Sequence, residues 1–213
     1  MKTDGVIFDL DGTLWDSCRV VSESWGLTLR RSFGAEAGPT AEQVRGIMGM
    51  TAAQITRALF SGYGERAQEV CVRCITEENA YLAGHSGDLY PGVGEMLAAL
   101  STRVPLFIVS NCLDGYIQAF LQSTGLAPCF RDFACEGATG LGKADNIRLI
   151  CRRHGLCAPV YVGDTDMDEK SAAEAGCPFI HAAYGFGMAQ APAAVIHAPV
   201  ELLALLEEEE THA

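Results

Sequence analysis

Lysine is scarce in this chain. Lys2, Lys143 and Lys170 are the only three in 213 residues, and acidic residues outnumber basic ones 27 to 15 for a formal net charge of −12. Such a balance repels nucleic acid and anionic membrane surfaces, so neither is expected as a partner. No apolar run approaches the ~20 residues that a membrane-spanning helix needs. The opening "MKTDGVIFDL" lacks the basic stretch, apolar core and cleavage site of an export signal, so a cytoplasmic location is expected. Nine cysteines, an odd number scattered along the chain, then read as reduced thiols, mostly small core residues. Cys71 and Cys74 form a CxxC, but within a helical pattern. They are short of the four ligands of a zinc site and do not open a helix after a strand, as a redox pair does. The run Glu207 to Glu210 reads as a solvated helix end.

What the chain does have is an alternation interrupted once. "GVIFDL" is a short apolar, β-branched run, a buried strand. From residue 16 to 86 the pattern turns helical. Thr40 with Gln43, and Thr51 with Gln54, have the spacing of capping boxes. From residue 87 strands and helices alternate: "PLFIVS", "DFACE", "PVYVGD", "PFIHAA" and "AVIHAP" are strands, with helices between them that stop at Gly125 and Gly155. Alternation of this kind predicts an α/β fold, a Rossmann-like parallel sheet with helices on both faces. Residues 1–15 and 87–213 would form that core, and 16–86 an inserted all-helical cap domain.

Open α/β sheets bind ligands beyond the carboxyl ends of their strands. Four polar clusters fall there: Asp9 and Asp11; Ser110 and Asn111; Lys143, opening a helix; and Asp164 with Asp168. Two unit charges 4 Å apart repel by ~4 kcal/mol at an effective dielectric near 20. Convergence of Asp9, Asp11 and Asp164 therefore calls for a cation, and carboxylate and carbonyl oxygens suit Mg²⁺. Each residue alone has a plainer explanation. The aspartates could cap helices, and Asp166 fits that role best; Ser110 could be a turn serine, and Lys143 could be solvated. The joint set favours chemistry.

In this order, "DLDGT", Ser110, Lys143 and "GDTDMD" resemble the four motifs of the haloacid dehalogenase superfamily, in its phosphatase branch. The helical insertion after the first motif resembles the cap of phosphoglycolate-phosphatase-like members. The resemblance implies that Asp9 is a nucleophile forming an aspartyl-phosphate, and that Asp11 is the general acid and base. It implies that Gly12 allows a tight turn, and that Ser110, Asn111, Lys143 and Gly12 hold the phosphoryl group. Asp9, the Asp11 carbonyl and Asp164 would surround Mg²⁺, with Asp168 acting through water or orienting Lys143. The expected substrate is a small phosphorylated metabolite. Alternatives are a sugar-phosphate mutase of the β-phosphoglucomutase type, a phospho-accepting receiver and a non-catalytic binding protein. Asp11 disfavours dehalogenation, and a cap without lysine disfavours Schiff-base cleavage of phosphonates.

Within the cap, "RGIMGMT" places two glycines between helices. Related caps select substrate with such a loop. Arg45 could meet an anionic leaving group there, or could be a solvated helix residue, and Thr51 closes the stretch. "HAAYGFG", His181 to Gly187, resembles a late loop at the rim of capped active sites.

Overall fold

The computed structural model describes residues 1–206, and the Glu207–Glu210 run lies outside them. The chain starts with β1 (Gly5–Phe8), passes through a tight loop to β2 (Trp15–Asp16), and then enters four helices: α1 (Cys18–Phe33), α2 (Ala41–Arg45), α3 (Ala52–Leu59) and α4 (Ala67–Leu82). A 3-10 turn, Ser61–Arg66, joins α3 to α4. The chain returns through β3 (Asp88–Leu89) to α5 (Val93–Ser101), β4 (Leu106–Ser110), α6 (Tyr116–Thr124), β5 (Asp132–Cys135), α7 (Glu136–Thr139) and α8 (Lys143–His154). It ends with β6 (Pro159–Gly163), α9 (Asp166–Ala175), β7 (Phe179–Ala182), β8 (Ala194–Ile196) and α10 (Glu201–Leu205).

Six strands form one sheet in the order β5-β4-β1-β6-β7-β8, and every pairing in it is parallel. Parallel strands covered on both faces need apolar side chains on both, which is why these segments read as unbroken apolar runs. Alternate residues divide between two cores. Val6, Phe8 and Ile108 face one layer, while Ile7, Phe107, Val109 and Tyr161 face the other. The central strand β1 thereby brings the residues that follow it to the middle of the sheet's carboxyl edge.

Local chemistry sets the helix ends. Thr40 and Thr51 each accept from the backbone N–H three residues on, and Gln43 and Gln54 return the bond. Gly125 and Gly155 take the left-handed conformation that ends α6 and α8. Asp166 is not the cap of α9. Thr165 holds that position and shares a capping box with Asp168, because its hydroxyl reaches the Asp168 N–H, whereas Asp166 pairs with Lys170 on the helix surface. All nine cysteines are free thiols, and Cys71 and Cys74 are buried in α4.

The helical stretch leaves and rejoins the sheet through one ribbon. β2 and β3 pair antiparallel, with Trp15 opposite Leu89 and Asp16 opposite Asp88. Trp15 is fully buried and meets Tyr116 and Phe120 of α6 edge-on, at centroid distances of 5.9 and 4.9 Å. One indole thus fixes the ribbon to the sheet layer. Trp15→Ala should cost about 3–5 kcal/mol of stability, read as a lower denaturant midpoint; an unchanged midpoint would show that the anchor lies elsewhere.

Candidate active site

Each strand end supplies one part of a buried polar cluster. Asp9 follows β1, Ser110 ends β4, Asp164 follows β6, and Lys143 opens α8. All four are buried, and so is Asp168. The Lys143 ammonium donates to Asp9 Oδ1 at 2.9 Å and to Asp168 Oδ1 at 2.6 Å. Asp168 Oδ2 accepts from the Thr165 N–H at 3.0 Å and from its hydroxyl at 2.6 Å. Asp168 therefore does two jobs: it closes the α9 capping box and aims Lys143. Burial disfavours the Lys143 charge, yet Asp168 and Asp9 hold its pKa well above the ordinary lysine value. Burial, and then the charge of Asp168, push Asp9 well up. Burial works the same way on Asp168, but Lys143 and Thr165 outweigh it and keep that carboxyl low.

Asp11 stands apart from this group. The Ser17 and Tyr116 hydroxyls reach its Oδ1 at 2.6 and 2.8 Å. Burial raises its pKa to about 6 against the pull of those two bonds. A carboxyl titrating there can both give and take a proton near neutral pH. The turn between the two aspartates and β2 depends on Gly12, at φ +83°. A Cβ at Gly12 would lie 2.2 Å from Asp164 Oδ2, so the residue combines a left-handed backbone with a close approach.

A loop that closes over Asp164 completes the edge. The Phe186 N–H donates to Asp164 Oδ2 at 2.7 Å, His181 Nε2 lies 3.1 Å from the Asp164 carbonyl, and the Tyr184 hydroxyl donates to Thr13 O at 2.9 Å. Gly185 lies so close that a Cβ there would be 2.3 Å from both Asp164 Cβ and the Gly12 carbonyl oxygen. This loop is the "HAAYGFG" segment. Among the site's supporting residues, Ser17 and Tyr116 had no distinguishing mark in the sequence beyond being hydroxyl residues near helix starts, and Thr165 lies within "GDTDMD".

A family model described as haloacid dehalogenase-like hydrolase matches residues 6–182. The chain belongs to this family. It is 28% identical over 194 residues to a phosphoglycolate phosphatase of Rhodospirillum rubrum, covering 85% of this chain and 80% of that one. It is 29% identical over 196 residues to the tyrosine-protein kinase PtkA of Mycobacterium tuberculosis, covering 86% of this chain but 63% of that one. A solved structure from Haemophilus somnus 129pt, described as a predicted phosphoglycolate phosphatase, superposes with a TM-score of 0.83 at 21% identity, covering 97% of this chain and 99% of that one. The family and the Rhodospirillum rubrum relative support a hydrolase of the phosphatase kind, and the superposed structure supports the fold.

The residues of this family member fit a divalent cation. Oxygens of Asp9, Asp164 and Asp168 lie within 4.8 Å of one another. Asp164 Oδ1 is buried and, among the described residues, has no hydrogen-bond partner. An unpaired buried carboxylate oxygen is costly unless a cation meets it. Asp9 and Asp164 are the free donors, since both oxygens of Asp168 are already engaged. The Asp11 side chain turns away to Ser17 and Tyr116, leaving only its backbone carbonyl for such a role.

The two cap candidates are engaged elsewhere. Arg45 donates to Asp16 Oδ2 at 2.7 Å and lies over the Phe186 ring, 5.4 Å from its centroid. Asp16 sits in the ribbon, and the pair is half-exposed at Arg45. The Thr51 hydroxyl oxygen accepts from the Gln54 N–H at the start of α3. The Asn111 side chain donates to the Gly49 carbonyl at 2.9 Å, tying the "RGIMGMT" loop to the end of β4.

Burial raises the pKa of Asp164 to about 7. A carboxyl with a raised folded pKa favours folding below its unfolded value of ~3.9, and that contribution is lost as pH climbs through the folded value. A divalent cation binds the ionised form and competes with the proton. The expected outcome is a melting temperature that falls between pH ~4 and ~7 in chelator, with Mg²⁺ restoring it by more at pH 8 than at pH 5. A metal-induced shift of the same size at both pH values would contradict this assignment.

Proposed function

We propose that the protein is a Mg²⁺-dependent phosphatase of small phosphorylated metabolites that works in the cytosol, with residues 16–86 acting as a cap over the site. The observation that carries the reading is the Asp9–Lys143–Asp168 arrangement beside Asp164, with a separate carboxyl, Asp11, near pKa 6. Bound Mg²⁺ would supply positive charge that offsets repulsion between a carboxylate nucleophile and an anionic phosphoryl group.

In this reading an Asp9 oxygen attacks phosphorus and the ester P–O bond breaks. The leaving oxygen takes a proton from Asp11 and departs as an alcohol. A water molecule, giving its proton back to Asp11, then cleaves the aspartyl-phosphate and regenerates both side chains. Lys143 balances charge on the phosphoryl oxygens while Asp168 keeps it in place, and the Ser110 hydroxyl and the backbone at Asn111 complete the phosphoryl cradle. Ser17 and Tyr116 fix the rotamer of Asp11 and help to set its proton affinity.

The mycobacterial relative bears a kinase's name, and mutases share the first half-reaction. Release of inorganic phosphate separates hydrolysis from both. Asp9→Asn should abolish phosphate release from p-nitrophenyl phosphate while circular dichroism stays unchanged; wild-type rates in that variant would refute the mechanism. Tyr116→Phe should lower kcat by about tenfold or more. It should also move the pH limb near 6 upward, since the lost hydrogen bond favoured the ionised carboxyl. A slower enzyme with an unmoved limb would leave Tyr116 a packing role only.

A further inference from the structure

A pocket enclosing about 60 Å³ begins at Asp11 and Ser110 and runs between the sheet edge and the helical insertion. Its walls are mainly apolar and include Val21, Ile47, Met48, Met50, Ile55 and Ile75. Among the described residues, no lysine, arginine or histidine lines it. Arg45 and Lys143 lie outside the wall, Arg45 paired with Asp16 and Lys143 with Asp9 and Asp168. Two acidic residues do line it, Asp11 and Glu78.

The mechanism has no use for Glu78. Its side chain projects from the middle of α4, is 4% exposed, and accepts from the Trp25 Nε1–H of α1. That is its one hydrogen bond among the described residues. Burial pushes its carboxyl well above the usual range, although Trp25 pulls the other way. A carboxyl held neutral there keeps an O–H to donate, as well as oxygen lone pairs to accept. A leaving-group carboxylate in this pocket would be desolvated with no basic side chain in the wall to pair with it, which is unfavourable.

We propose that this pocket holds the leaving group and takes uncharged, largely apolar phosphomonoesters bearing a hydroxyl that hydrogen-bonds Glu78. The inference rests on the phosphatase reading above and narrows it: glycolate, a carboxylate, does not suit these walls. Glu78 is then a specificity residue. It contributes to binding at the far end of the ester and has no part in proton transfer at phosphorus.

The test compares four esters on the wild-type enzyme with Mg²⁺: phenyl phosphate, hydroquinone monophosphate, phosphoglycolate and phosphoethanolamine. Both aromatic esters should exceed the two charged ones in kcat/KM by about a hundredfold. Glu78→Leu should raise KM for hydroquinone monophosphate by up to about tenfold, the worth of one buried hydrogen bond, and leave phenyl phosphate unchanged. Glu78→Gln, which can still accept from Trp25 and donate to a hydroxyl, should behave as wild type toward both. Each variant is its own control for folding, because two substrates are read on one protein. Preference for phosphoglycolate or phosphoethanolamine would overturn the inference and leave the phosphatase reading intact, as would an equal rise of both KM values in Glu78→Leu. Phosphate release from none of the four would overturn both.

Discussion

The Lys143 ammonium between Asp9 and Asp168 is the contact on which the site depends. A charge this buried survives only where opposite charges repay its desolvation. Here the two carboxylates come from different segments, one just after β1 and one in the first turn of α9. The ion cluster therefore ties together three parts of the chain that are far apart in sequence. Asp164 brings a further carboxyl, and its bare Oδ1 gives the cluster a free ligand atom. The remaining features arrange themselves around this group. The glycine turn at Gly12 and the closely fitted Gly185 let two backbone segments approach Asp164, where any side chain would intrude.

Asp11 has a different environment from Asp9 although two residues separate them. Asp9 lies among charges, whereas Asp11 lies among hydroxyls and apolar walls. Distinct surroundings suit two chemically identical groups to distinct tasks, in the proposed mechanism one to attack and one to exchange a proton. The same contrast extends outward. On the Asp9 side the site is a cluster of charged groups; on the Asp11 side it opens into a pocket lined by Met48, Met50 and Ile75.

The strands and the motif residues were legible because their causes are local. Apolar runs mark buried parallel strands, and polar residues at the ends of those runs fall on the carboxyl edge. The Thr40 and Thr51 capping boxes were legible for the same reason. What the sequence could not show were choices made by tertiary packing. Glu77 and Glu78 are adjacent and chemically alike. One helical step of about 100° separates Glu77, paired with Arg31 and Arg73, from Glu78, buried against Trp25. Arg45 looked available to a ligand because Asp16 is 29 residues away in the chain, and only the folded ribbon brings the two together. Tyr116 sits 105 residues from Asp11 and carries no motif of its own.

The paired strands β2 and β3 set a rule for the helical insertion as a whole. Its first and last residues emerge side by side, so the chain between Asp16 and Asp88 is topologically a single long hairpin loop grown on the sheet. None of its helices supplies a strand to the sheet, and the order of strands does not depend on what the hairpin contains. A different helical unit could stand at the same two positions without rethreading the core. The hydrolytic centre and the pocket wall are in this sense separately replaceable, and the fold lets one change while the other is kept.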